Sequence, residues 1–341
     1  MTDTNEKPRI FFVGGTGYIG GSVLDLMLSG GYLDRFTISV LTRRAEDAET
    51  MLKLGVEPVM GSLDDLALLR TQSAASSVVF SMANCDDAPS ARAMAQGLAD
   101  RASRTGERPI LIHTSGAGVL SDNSTGRGAA LEDDPGAFLW DDADVTAHAA
   151  IPDHAPHRHV DLEIFSAAKT GLIKTYLMVP PTVFGRGLGQ FAENRMSIQL
   201  PRLVYQSLRA RRAMYVGEGK AQWTNVHVAD LAELYLLLFE AALRDDAPEG
   251  LAGLYYPASE FFTWSDVSVR IGQILHDKGL INDPTPSSGL PGGWFWGSNV
   301  RMTSTNGAKL GWKPIRGGTR EMLEAIEWDA ELMLRMLKER I

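Results

Sequence analysis

The chain has 341 residues, of which 44% are hydrophobic and 22% are charged, and its formal net charge is −9. A chain of this length and composition is expected to fold as one large α/β domain or as two lobes. Its negative net charge argues against a nucleic-acid-binding surface. No apolar run is long enough for a membrane span, and the polar start lacks an apolar signal core, so we expect a cytoplasmic protein that does not engage membranes. With Cys85 as its single cysteine, the chain is expected to have neither an intrachain disulfide nor a cysteine-based metal site.

The first predicted element is a strand that runs into a glycine-rich turn. Apolar Ile10–Val13 precedes Gly14, Gly17 and Gly20, and a helical pattern follows over 23–28. The first glycine lets the chain turn, the second lets the backbone approach phosphate oxygens, and the third lets the helix pack closely on the strand. The amino end of the helix then faces the phosphates. Three glycines alone also fit a structural turn, but the flanking strand and helix favour a dinucleotide site.

Strand and helix patterns then alternate along the first half of the chain. The further predicted elements are strands at Phe36–Leu41, Val56–Val59, Ser77–Phe80, Pro109–Ile112 and Leu172–Val179, and helices at about 88–104 and 157–169. A long loop rich in Gly, Asp and Ala covers 115–156. The alternation predicts an α/β fold, a Rossmann doubly wound parallel sheet.

The second half is less regular and predicts a smaller lobe. Helices are predicted at about 198–211, at about 228–243 and from Thr319 onward. We expect a dinucleotide-binding domain from 1–185 plus 223–250, and a smaller, mostly helical C-terminal substrate lobe from 186–222 plus 251–341. Four aromatic residues of this lobe either line an apolar pocket for a small-molecule substrate or form its core: Trp264, Trp294, Phe295 and Trp296. The sequence is compatible with a homodimer.

Four segments together resemble a known superfamily. They are Gly14–Gly20, His113–Gly116, Val179–Gly185 and Trp223–Leu231. In this order they resemble the extended and atypical branches of the short-chain dehydrogenase/reductase superfamily, with its NAD-dependent epimerase/dehydratase-like and NmrA-like relatives. The resemblance implies a nicotinamide dinucleotide cofactor and, in typical members, a Tyr, a Lys one helical turn later and a Ser or Thr at the reacting carbonyl.

The end of the second strand bears on the choice of cofactor. Arg43 and Arg44 follow this strand, and the first acid is Glu46. An acid at the strand end would bind an unphosphorylated ribose, whereas arginine suits a 2′-phosphate. NADP is therefore favoured and NAD stays open, with solvated loop charges as the alternative. The resemblance assigns to the cofactor Gly14, Thr16, Gly17, Tyr18, Ile19, Gly20, Arg43, Arg44, Ser62 (often Asp in the family), Leu63, Met82, Ala83, Asn84, Thr114 and Pro180.

The usual Tyr–Lys pair is missing. Phe165–Lys169 resembles the motif with Phe in place of Tyr, but in the family a helix of about six turns separates the lysine from the proline after strand six. Counting back from Pro180 puts His157 in place of the lysine and residues 153–154 in place of the tyrosine. Ser115, after strand five, is the candidate hydroxyl, or else it caps the strand end.

His157 and Asp161 fall one turn apart on one helix face, so we expect the carboxylate to orient a catalytic imidazole. The neighbouring histidines at 154 and 159 could equally be surface groups, His157 could be structural, and no spacing singles out a metal site. The sequence predicts an NADP-dependent oxidoreductase of a small organic carbonyl, alcohol or imine, with His or water in place of Tyr. A non-redox isomerase, epimerase, dehydratase or cyclase that retains the dinucleotide, and a non-catalytic NADP-binding sensor, are the alternatives.

Overall fold

The computed structural model of the protein describes residues 7–122, 126–127 and 138–338. The strands are β1 (Arg9–Val13), β2 (Thr37–Thr42), β3 (Glu57–Met60), β4 (Val78–Ser81), β5 (Ile110–Thr114), β6 (Leu139–Asp141), β7 (Lys174–Met178), β8 (Thr182–Phe184), β9 (Met214–Tyr215), β10 (Gln222–His227), β11 (Leu254–Tyr255), β12 (Phe261–Thr263), β13 (Ser287–Ser288) and β14 (Arg301–Thr303). The helices are α1 (Tyr18–Ser29), α2 (Ala45–Lys53), α3 (Leu66–Ala75), α4 (Ala88–Thr105), α5 (Val145–Ala150), α6 (Arg158–Lys169), α7 (Gly189–Ala192), α8 (Gln199–Ala210), α9 (Val228–Leu243), α10 (Trp264–Asp277), α11 (Trp294–Gly297), α12 (Thr305–Lys309) and α13 (Thr319–Lys338).

The main sheet has seven parallel strands in the order β3-β2-β1-β4-β5-β7-β11. Its strands are apolar on both faces because helices cover both sides. On one face, for example, the rings of Phe12 and Phe80 stack with their centroids 4.5 Å apart, whereas Phe11 and Val79 belong to the core on the other face. This arrangement confirms the predicted Rossmann fold. The strand order reverses between β1 and β4, where a crevice for a ligand opens at the carboxyl ends of the strands.

Several predicted boundaries need correction. The predicted loop at 115–156 contains β6 and α5, and β6 pairs with β14 about 160 positions later in a parallel two-stranded sheet. Such short strands have no local sequence signal because a distant partner stabilises them. Leu254–Tyr255, expected in the small lobe, instead forms β11 at the edge of the main sheet.

The remaining strands form small sheets beside the main one. β10 pairs with β8 in parallel and with β12 in antiparallel fashion, and α8, α10 and α13 pack against one another next to this sheet. Trp264 is fully buried here against Trp223 and Phe262, which makes it a core residue and not a pocket residue. Within the described ranges, no helix is long and apolar enough to cross a bilayer.

Candidate cofactor cleft and active site

The glycine turn after β1 is tightly packed. Gly14 has a φ of +106°, and a Cβ there would lie 2.7 Å from the carbonyl carbon of Met82. A Cβ on Gly20 would overlap the carbonyl oxygen of Gly14. Glycine is therefore required at both positions, at the first by conformation and space and at the second by helix–strand contact.

The amino end of α1 is open to an anion. Gly17 precedes the helix without a side-chain cap, and the first turn carries no acidic residue. The hydroxyl group of Thr16 has no hydrogen bond within the described ranges and Ile19 is half-buried, whereas the hydroxyl of Tyr18 donates to the carbonyl oxygen of Gly185 at 2.6 Å. Uncapped N–H groups at a helix start bind phosphate well, so this end of the helix fits a pyrophosphate.

The two arginines after β2 differ in their surroundings. Arg44 donates to Asp47 at 2.6 and 2.8 Å and also pairs with Glu46 at 3.0 Å. Arg43 is exposed and has no ion pair in the part of the chain that the structure describes. The guanidinium group of Arg44 is therefore not free to bind a phosphate, because the first turn of α2 supplies two carboxylates that hold it. This corrects the expectation for Arg44.

Other residues assigned to the cofactor lie at the carboxyl ends of β3 and β4. Ser62 and Leu63 are half-buried, and the Ser62 hydroxyl accepts a hydrogen bond from the backbone of Asp64 at 3.2 Å. Ala83 and Asn84 are exposed after half-buried Met82, at the rim of the cleft beside the glycine turn.

Two residues assigned to the cofactor, Thr114 and Pro180, already make hydrogen bonds within the fold. The hydroxyl of Thr114 shares a 2.7 Å hydrogen bond with the hydroxyl of buried Tyr235. The carbonyl oxygen of Pro180, itself buried, accepts from the backbone N–H of Ala117 at 3.0 Å. Their polar groups are therefore used in joining β5, β7 and α9.

His157 is held by a carboxylate that the sequence did not predict. Its Nδ1 lies 2.7 Å from Oδ1 of Asp86, and the imidazole is 13% exposed. The ring meets Trp294 edge-on at 5.8 Å, and a Cβ added to Gly116 or Gly118 would lie 3.0 or 3.1 Å from Nε2. The hydrogen bond at Nδ1 thus fixes the orientation of the imidazole, while Nε2 has no hydrogen-bond partner within the described ranges.

The backbone of His157 is unusual. Its φ is +67°, the left-handed region, immediately before the first residue of α6. Non-glycine residues adopt this conformation rarely. The kink separates the imidazole from the helix face that carries Asp161.

Asp161 does not orient His157, which corrects the sequence-based expectation. The carboxyl group of Asp161 is only 2% exposed, and its Oδ1 has no hydrogen-bond partner within the described part of the chain. Burial raises the pKa of Asp161 to about 7, a rise that the nearby Ser115 hydroxyl and the Arg158 charge partly oppose. The carboxyl group therefore faces the end of β5.

Ser115 lies at that same strand end. Its Oγ is buried near the carboxyl group of Asp161, whose pKa rise it partly opposes, and its backbone N–H donates to the carbonyl oxygen of Met178 at 2.8 Å. The Ser115 hydroxyl and the Asp161 carboxyl group are therefore buried polar neighbours at the end of β5. Next to it, burial lowers the pKa of His113 to about 4, so this imidazole stays neutral and bonds to Ser81 at 3.0 Å.

The segment Phe165–Lys169 lies outside the cleft. Phe165 is buried in the core beneath the Arg158 guanidinium, and Lys169 is exposed at the far end of α6. Twelve helical residues separate that end from His157, a length of about 18 Å.

A cavity of about 560 Å³ opens beside His157. Its apolar walls are Val119, Leu120, Trp140, Pro152, Pro156 and Trp294. Its polar lining consists of Asp86, Ser121, His154, His157 and His159, with no Lys or Arg among the described residues that line it. The cavity is therefore suited to an uncharged, apolar ligand.

Two family models match the chain in succession. Residues 6–112 match the NmrA-like family, and residues 155–251 match the NAD dependent epimerase/dehydratase family. The two matches agree with the resemblance to the extended and atypical short-chain dehydrogenase/reductase branches that the four sequence segments carry. Together with the glycine turn, they support an NAD(P)-binding fold.

The curated relatives of the chain include two with named activities. The oxidase ucsJ of Acremonium sp is 29% identical, over 93% of this chain and 96% of its own length. The 4-hydroxy-2-methyl-3-oxo-4-farnesyl-3,4-dihydroquinoline-1-oxide ketoreductase of Stigmatella aurantiaca is 26% identical, over 70% of this chain and 69% of its own.

Solved structures share the fold at lower identity. The UDP-glucose 4-epimerase of Thermotoga maritima has a TM-score of 0.64 at 16% identity, covering 96% of this chain and 99% of its own. The dTDP-glucose 4,6-dehydratase of Streptomyces venezuelae, solved with NAD, has a TM-score of 0.64 at 15% identity, covering 95% and 97%.

Sequence reasoning missed Asp86 and Trp294 as neighbours of His157. Asp86 is 71 positions away from it and Trp294 comes from the distant α11. One signal was present, because Asp86 closely follows β4 and polar residues after parallel strands gather at the ligand edge of the sheet.

Proposed function

We propose that this protein is an NADP-dependent oxidoreductase of an apolar organic carbonyl compound, or of the corresponding alcohol or imine. One observation carries the proposal: Asp86 holds Nδ1 of His157 at 2.7 Å, and His157 lines a cavity whose walls include Val119, Leu120, Trp140 and Trp294. A histidine oriented in this way can act as a general acid and base.

The residues of the cleft fit a dinucleotide phosphate. The uncapped amino end of α1 at Gly17 would bind the pyrophosphate, and unpaired Arg43 would bind the 2′-phosphate. Met82, Ala83 and Asn84 would line the cofactor ribose. When bound, the cofactor supplies or accepts the hydride.

The proton is handled by the chain itself. During reduction, protonated His157 donates from Nε2 to the carbonyl oxygen, and the Asp86 carboxylate stabilises the imidazolium. The buried hydroxyl of Ser115 donates a hydrogen bond to the same oxygen. In the oxidation direction, neutral His157 accepts the hydroxyl proton at Nε2.

The cavity supports an apolar substrate over a nucleotide sugar. A sugar diphosphate would need Lys or Arg partners, and the described lining contains neither. Trp140 and Trp294 would instead pack against a ring system or an alkyl chain. The names of the oxidase and ketoreductase relatives support redox chemistry.

The test is NADPH consumption with a panel of cyclic and long-chain ketones. We expect stoichiometric oxidation of NADPH that falls by about 100-fold or more in His157→Ala, the contribution typical of a general acid. His276→Ala is the matched control, because His276 also lies beside an aspartate but its side chain is exposed, near the end of α10.

The outcomes separate the alternatives. Product formation without net NADPH loss would favour a non-redox isomerase, epimerase, dehydratase or cyclase. Saturable NADPH binding with no product from any substrate would favour the sensor. Unchanged turnover in His157→Ala would remove the role assigned to this histidine.

A further inference from the structure

Three potential metal ligands from two distant segments meet at the mouth of the cavity. Nδ1 of His157 lies 3.3 Å from Sγ of Cys85 and 2.7 Å from Oδ1 of Asp86. The thiol sulfur lies 3.8 Å from Oδ2 of the same carboxylate. Thiolate, imidazole and carboxylate are the three ligand types that Zn²⁺ prefers.

These separations are close to those of a tetrahedral zinc site. Zinc–sulfur, zinc–nitrogen and zinc–oxygen bonds of about 2.3, 2.0 and 2.1 Å place neighbouring ligand atoms about 3.3–3.6 Å apart. The Cys85–His157 distance of 3.3 Å lies in this range, whereas the Asp86 carboxylate must shift, because its Oδ1 is about 0.6 Å too close to His157 and its Oδ2, at 3.8 Å, is slightly too far from the sulfur. Asp86 can make this movement because its side chain is 51% exposed.

The backbone around the ligands is fixed. The N–H of Asp86 donates to the side chain of Asn84 at 3.0 Å, and its carbonyl oxygen bonds to Nε2 of His159 at 3.2 Å. The imidazole of His157 packs on Trp294. Since these anchors hold the ligands near their final positions, little ordering is needed when an ion binds.

We propose that Cys85, Asp86 and His157 bind a thiophilic divalent cation of the Zn²⁺ class. Asp86 and His157 also line the cavity, from which water can complete the coordination. Three protein ligands with one open position are typical of accessible, exchangeable sites and not of closed structural ones. A metal site with one cysteine ligand is not apparent from the sequence, because Asp86 and His157 are 71 positions apart in the chain.

Binding changes the state of the imidazole. The thiol proton of Cys85 leaves to solvent, the cation takes the Nδ1 lone pair, and a proton on that nitrogen moves to Nε2. The hydrogen bond to Asp86 is lost. If the proposed function holds, the cation therefore inhibits turnover; this consequence rests on the proposed function, but the binding itself does not.

The probe is Co²⁺, which reports thiolate coordination by a charge-transfer absorption in the near ultraviolet. Because the chain has a single cysteine, any such band comes from Cys85. We expect one equivalent of Co²⁺ to produce the band, Zn²⁺ to abolish it, and Cys85→Ser to lack it. Asp86→Ala and His157→Ala should weaken Co²⁺ binding by at least about tenfold, the loss that even outer-shell changes cause.

His276→Ala serves as the control, and circular dichroism confirms that each variant is folded. Absence of the band in the wild type would overturn the proposal. Equal Co²⁺ affinity in Asp86→Ala, His157→Ala and the wild type would also overturn it, because the thiol would then bind alone. None of these readings depends on turnover, so failure of the metal site and failure of the proposed function are distinguishable.

Discussion

Arg43 offers a direct test of cofactor choice. Replacing it with alanine removes the exposed guanidinium at the end of β2 and breaks no ion pair among the described residues. We therefore expect Arg43→Ala to keep its stability and to lose affinity for NADPH, whereas affinity for NADH, which lacks the 2′-phosphate, should stay the same.

The size of the loss follows from the environment of the side chain. A hydrogen bond to a charged group contributes about 1.5–3 kcal/mol. Because Arg43 is exposed, solvent and salt screen it, and the lower value applies. We expect a loss of about 1.5 kcal/mol, which is about tenfold in Kd.

The assay is a fluorescence titration of NADPH and NADH into the wild type, Arg43→Ala and Arg44→Ala. Arg44→Ala is a matched control because it removes the same charge, but from a side chain held by Asp47 and Glu46. We expect it to weaken NADPH binding less. Equal losses in the two variants would show an effect of local charge alone, and equal losses for both cofactors would refute the contact with the 2′-phosphate.

Three further changes test other parts of the structure. Burial raises the pKa of Asp329 to about 7 from 3.8, so its carboxyl destabilises the fold increasingly as pH rises between these values. Asp329→Asn should therefore gain up to about 4 kcal/mol relative to the wild type between about pH 4 and pH 8 in urea unfolding, and a pH-independent difference would contradict the burial effect. Gly20→Ala should lower unfolding free energy by about 3 kcal/mol, since its Cβ meets Gly14, whereas Gly292→Ala, in open space, should change it little. Ser115→Ala should reduce kcat/KM by about 100-fold, because its hydroxyl is proposed to donate to the reacting oxygen; turnover as high as in the control Ser73→Ala, which removes another buried hydroxyl, would exclude this role.

The main fold could be predicted from the sequence because the features that define it are local. The strand before Gly14 and the helix after Gly17 are adjacent in the chain, and α4, α9 and α13 lie within about a residue of their predicted positions. Periodicity and glycine placement are sufficient for such elements.

The candidate site was harder to predict because its contacts are not local. The His157–Asp86 pair and the β6–β14 ladder each join segments that tertiary packing brings together. Asp161 was assigned to His157 from regular helical spacing, but α6 begins only at Arg158. The left-handed residue before it breaks the spacing on which that assignment depended.

The positive φ of His157 also limits what substitutions at this site can achieve. Placing Tyr at 153 and Lys at 157 would not create the usual pair, because neither position is helical here. A lysine in the left-handed region would cost about 1 kcal/mol. The usual chemistry would require an extra helical turn along with the two side chains, so two substitutions alone would not provide it.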